Sequence, residues 1–165
     1  MPNKATLDRR TTTYSAFQAF EERCFVLLDT IAELRRPHFD LHRRLMHYAP
    51  AKLATGHGIE QALEDIAWVN ANAEGSSMFV WHANIDAYLR FRHMYPPELK
   101  EAVRFEATAH PYEIHHGQTE NHKMMIAVAG YLVAQTWPDW ERAENTCARM
   151  ADYLNSFFDR VVRYG

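Results

Sequence analysis

From Tyr14 to Arg35 apolar residues recur at steps of three and four: Phe17, Phe20, Cys24, Leu27, Leu28, Ile31 and Leu34. Glu21, Glu22, Asp29 and Glu33 take the opposite side. That period matches an α-helix with one buried face. Pro37 ends it. A short helix is expected over 39–48, stopped by Pro50, and the Gly56-His57-Gly58 turn introduces a third helix over 59–71. Gly75-Ser76-Ser77 supplies a break and an N-cap for a helix from Met78 to His93. Pro96-Pro97 restarts a helix to Thr108, proline being tolerated in a first turn. Thr119 is the expected N-cap of a helix over 120–135. After Trp137-Pro138-Asp139 a last helix runs over 139–163, burying Ala143, Cys147, Met150, Leu154, Phe157, Phe158 and Val161, with Gly165 placed as a C-terminal cap.

Two kinds of helix emerge. Those over 14–35 and 139–163 have one apolar and one charged face, as surface helices do. The helix over 120–135 is apolar nearly all round and rich in small residues (Ala127, Ala129, Gly130, Ala134), so other helices must surround it closely. Strand signals are almost absent. The expected fold is all-α, with six to seven helices arranged as a partial (α/α) toroid or helical-hairpin array, or alternatively as a compact helical bundle. Residues 1–13 read as a mobile polar segment and 14–165 as one helical domain.

Composition changes this picture little. A chain of 165 residues, 47% apolar and 24% charged, is one ordinary folded domain. The net charge of −3 and basic runs no longer than pairs such as Arg9-Arg10 and Arg43-Arg44 give no nucleic-acid footprint. No run approaches the roughly 20 apolar residues that span a bilayer, and the N-terminus is not a signal peptide, so a cytoplasmic protein is expected. Cys24 and Cys147 read as free, buried thiols.

The chemistry-bearing stretch is His110-Pro-Tyr-Glu-Ile-His-His-Gly-Gln-Thr-Glu-Asn-His122, which holds four of the ten histidines. Glu120, Asn121 and His122 fall in the first turn of the apolar helix. Backbone N–H groups there lack intrahelical partners and the positive dipole end favours an anion. Asn121 offers two amide donors, and His122 exchanges a proton near neutral pH. The plainer reading is that Glu120 complements the dipole while Asn121 and His122 bond loop carbonyls. His110, His115 and His116 lie close by with Glu113; His115 and His116 point opposite ways in an extended loop. A metal held by His115, His122 and Glu113 matches no established spacing, so neither metal nor cofactor is expected. Trp81-His82-Ala83-Asn84 forms a second polar-aromatic cluster, which serves either as a sugar site or as an ordinary helix start around a buried tryptophan. Arg36 to His42 and Arg104 to His110 fit the Arg-x5-His spacing of some helical ribonuclease domains, a loose pattern in a chain this rich in histidine.

Gly117-Gln-Thr-Glu-Asn-His122, followed by Met125, Ala129, Tyr131-Leu-Val-Ala-Gln135 and Trp137-Pro-Asp139, resembles a Thr/Ser-Glu-Asn-His segment of (α/α) toroid proteins related to heparinase and alginate-lyase-type polysaccharide lyases. Tyr153 to Gly165 is similar to the helix after that motif, so the resemblance covers residues 96–165. It implies a carbohydrate-active protein that cleaves an acidic, uronate-containing polysaccharide by β-elimination. Asn121 would neutralise the uronate carboxylate, His122 or His116 would take the α-proton, and Glu120 would position them. Trp81, His82, Asn84, His115 and Lys123 would line the substrate site. The chain supplies about half the helices of such a ring, so a homodimer or a further C-terminal half would complete it. A hydrolase would need two opposed carboxylates, for which Glu113 and Glu120 are the nearby acids. The alternatives are a non-catalytic helical binding or assembly module, and a helical metal-binding or nuclease domain.

Overall fold

The computed structural model describes residues 19, 22–24, 26–32, 44–73 and 77–164. The expectations for 1–13, for the 36–42 spacing and for Gly165 lie outside them. The described residues are all-α. Helical residues among 19–32 form α1; α2 is Ala49–Thr55, α3 Ile59–Ala71, α4 Met78–Phe91, α5 Pro97–Ala109, α6 Glu120–Thr136 and α7 Ala143–Tyr164.

Three expectations about element ends are corrected. Pro50 does not stop a helix; it stands in the first turn of α2, directly after a π-helical turn over Arg44–Tyr48. Proline is tolerated in a first turn, where its fixed φ suits the helix and its missing N–H costs least. α4 gives way to a 3-10 turn, Arg92–Met94, before His93 is passed. The last helix begins at Ala143 rather than Asp139, because Trp137 to Ala143 close successive turns through Trp140 N–H to Trp137 O and Ala143 N–H to Trp140 O. Ser77 does take the N-cap position of α4, but through its backbone carbonyl, which accepts from Val80 and Trp81, and not through its hydroxyl. Thr119 caps α6 as expected, its Oγ1 accepting from His122 N–H at 3.3 Å.

The helices pack as hairpins, α2 with α3, α4 with α5 and α6 with α7. Neighbouring hairpins meet through every second helix: α2 against α4, α4 against α6, and α3 against α5. The core runs continuously through this stack, from Leu45 and Ile66 through Ile85 and Val103 to Ile126 and Val133. As its composition requires, α6 buries Ile126, Ala127, Ala129, Gly130, Val133 and Ala134 between α4 and α7. Arg44 joins the π-turn to α3: its guanidinium lies 3.9 Å from the Trp68 ring centre and 3.3 Å from the fully buried Asp65 carboxylate. Lys52 Nζ donates to Ala32 O at 2.7 Å and so ties α1 to α2. Among the described residues of α1 Ala32 is buried, while Leu27, expected on the inner stripe, is 59% exposed beside Val26. Cys24 and Cys147 are free as expected but only half-buried.

Candidate functional site

The segment from α5 to α6 is held from three sides. Tyr112 is wholly buried with a left-handed backbone, φ +49°, a conformation that costs a non-glycine residue on the order of 1 kcal/mol. Its environment imposes the cost. The hydroxyl donates to Ala107 O at 2.7 Å, and the ring meets the edges of Trp81 and Trp140 at 5.7 and 6.3 Å. Burial first, then the nearby Glu106 charge, raise its phenol well above the ordinary value. Arg142 donates to Thr108 O at 2.7 Å and Arg149 to Tyr112 O at 3.2 Å, so α7 and the turn before it grip the loop backbone. Gly130 permits the approach of α6, since a Cβ there would stand 3.0 Å from Tyr112 Cβ and Cγ.

Behind the loop runs a buried polar relay. Asn70 on α3 and Asn84 on α4 exchange amide hydrogen bonds of 2.8 and 3.3 Å. Asn84 also donates to Glu106 Oε2 at 2.9 Å, and Glu106 Oε1 meets His110 Nε2 at 2.6 Å. His110 in turn stacks on Trp81, centroids 4.5 Å apart. Of the residues expected at a sugar site, Asn84 is therefore spent on the core, 1% exposed, and one face of Trp81 is covered by His110. His82, on the same helix, has its Nδ1 buried without a hydrogen-bond partner among the described residues.

At the start of α6 Glu120 and Lys123 meet, while Asn121 and His122 turn to other partners. Glu120 accepts from Lys123 Nζ of its own helix at 2.8 Å and from Tyr153 OH of α7 at 3.0 Å, with Arg160 of α7 at 3.7 Å. The Lys123 bond, then that of Tyr153, hold its carboxyl below the ordinary 4.5. Asn121 is exposed and reaches Met125 Sδ at 3.9 Å. His122 turns towards α4, its ring edge-on to Phe79 at 5.4 Å. His115 is exposed, 3.7 Å from Glu113, and its N–H bonds Gln118 Oε1 to close the turn that presents His116 to solvent. Among the described residues no group of three His, Cys, Asp or Glu side chains is placed to share a metal ion.

A concave feature among the described residues lies elsewhere. A groove of about 810 Å³ separates α3 from α5. Leu63, Ala67 and Ala71 on α3 and Leu99, Ala102 and Phe105 on α5 supply its apolar lining, Phe105 being 80% exposed. Glu60, Glu64 and Glu98 mark its edges, and Asn70 brings the end of the buried relay to its wall. It exists because alanines occupy the positions where larger side chains would close the seam. The signal in the sequence is a second stripe on α3, Leu63–Ala67–Ala71, beside the core stripe Ala62–Ile66–Val69, together with a phenylalanine set between Arg104 and Glu106. No family model, curated protein or solved structure matches this chain.

Proposed function

We propose that this protein is a non-catalytic helical binding module, and that the groove between α3 and α5 receives an amphipathic helix of a protein partner, apolar on one face and basic along its flanks. The observation that carries the reading is Phe105, a large aromatic side chain left 80% exposed in an alanine-lined groove with three glutamates at the edges. An exposed apolar patch rimmed by polar residues is the usual mark of an interaction surface. Both groove walls are 13-residue helices, each about 20 Å long, which suits helix-in-groove recognition. Carboxylates along the rim favour a cationic partner and reject an acidic one. β-Elimination would need Asn121 and His122 to address one cavity. Their side chains instead meet Met125 and Phe79, and Glu120 is occupied by Lys123 and Tyr153.

The test is a fluorescence-anisotropy titration with two helical peptides that share a Leu/Phe stripe, one flanked by Arg and Lys, the other by Glu. The basic peptide is expected to bind with a Kd of about 1–100 μM, more weakly at high salt, and not to the Phe105→Glu variant. Absence of binding by the basic peptide, or equal binding of both peptides, refutes the reading.

A further inference from the structure

The geometry points to a second copy of this chain as the occupant of the groove, contributed by the C-terminal turns of α7. The inference rests on the groove reading above and names its partner. Phe158 and Val161, which their spacing predicted to be buried, are instead 55% and 49% exposed, and with Val162, 84% exposed, they form a stripe at positions i, i+3 and i+4 of α7. Residues three and four apart lie on one side of a helix, so the stripe is continuous. Arg160 and Arg163 flank it and outnumber the single Asp159 on the same turns, whereas the rim of the groove presents Glu60, Glu64 and Glu98. Shape agrees as well as charge. The turns from 154 to 164 extend about 16 Å, within the roughly 20 Å offered by each groove wall. One contact would cover Phe105 on one copy and Val162 on the other, the most exposed large apolar side chains described.

In the contact proposed, the tip of one copy enters the groove of another, either head to tail or reciprocally in a two-fold pair. Arg160 already approaches Glu120 of its own chain at 3.7 Å, which leaves Arg163 as the principal new cation for the rim. An interface of this extent belongs to the small, transient class. The expected dissociation constant is in the range of about 10–100 μM.

Sedimentation of the full chain from about 10 μM to 1 mM tests this, with Phe105→Glu altering the groove and Val162→Glu altering the tip. Both positions are so exposed that the helical circular-dichroism spectrum should be unchanged. The wild-type mass is expected to rise with concentration above 19.3 kDa. Each variant alone should associate about tenfold more weakly or less. An equimolar mixture should recover dimers and nothing larger, because one intact tip then meets one intact groove. Monomeric wild type throughout, or association unaffected by Val162→Glu, overturns the inference. The groove reading is then judged separately by the peptide titration, which does not depend on self-association. Should Val162→Glu have no effect while Phe105→Glu abolishes association, the groove holds another part of the chain, and the assignment to α7 fails.

Discussion

Asn84→Ala is the sharpest perturbation of the buried relay. Asn84 is 1% exposed and donates to both Asn70 Oδ1 and Glu106 Oε2 while accepting from Asn70. Alanine removes all three bonds. The one to the Glu106 carboxylate is charge-assisted, and its loss from a buried acceptor costs about 1.5–3 kcal/mol. The exchange with Asn70 adds about 1 kcal/mol, reduced because Asn70 borders the groove and water can reach it. Lost packing adds about 1 kcal/mol. The expected destabilisation is therefore about 3–5 kcal/mol, which for a domain of this size lowers Tm by about 10–15 °C. Urea unfolding followed by circular dichroism, with the m-value checked for constancy, measures it. Asn84→Asp should do at least as much damage, since it removes both donors and sets a second carboxylate beside Glu106. A loss below about 1 kcal/mol for Asn84→Ala would show that the relay is not a structural hub, and would return Asn84 to the list of ligand contacts.

Gly130→Ala gains about 1 kcal/mol of helix propensity but drives a Cβ to 3.0 Å from the Tyr112 ring and 3.1 Å from Met150 Cγ. Tyr112 is boxed in by Trp81, Trp140 and its bond to Ala107, so overpacking of about 1–3 kcal/mol should prevail; a stabilised variant in thermal melts would refute this. Glu120 has a folded-state pKa below its ordinary 4.5. Its contribution to stability is thus present above 4.5 and disappears as the pH falls through the folded value. Glu120→Gln should therefore be less stable than wild type at pH 7 and indistinguishable from it in strong acid. Equal differences at both pH values would contradict that sign. Incubation with uronate polysaccharides should release no unsaturated product absorbing in the ultraviolet; a signal that Asn121→Ala/His122→Ala abolishes without unfolding would establish β-elimination and displace the binding-module reading.

The helices were legible in the chain because the information that makes them is local. Apolar spacing, Thr119 as a cap, the Gly56-His57-Gly58 turn and the first-turn proline of α5 each act within a few residues. For the same reason the burial of α6 could be read from its small, apolar composition. Pro50 was misread because a proline that starts a helix and one that stops it differ only in what precedes it, here a π-turn.

What the tertiary structure alone decided is which polar groups face each other. Asn70, Asn84 and Glu106 are separated by 14 and 22 residues along the chain, and nothing in their own segments marks them as one network. Trp81 and Asn84 admitted both a sugar site and an ordinary helix start because a buried polar cluster and an open one share the same residue types; the packing of α5 against α4 buried Asn84, and His110 covered one face of the half-buried Trp81. The groove has a local trace, the Leu63–Ala67–Ala71 stripe, but no segment by itself shows what that stripe faces. Ala67, Ala71 and Ala102 are unremarkable helix formers until α3 and α5 are laid side by side, when small side chains on both walls leave the seam open beside Phe105. Sequence thus set the elements, through interactions a turn apart, while the cleft and the relay arose from contacts between helices whose register no single segment encodes.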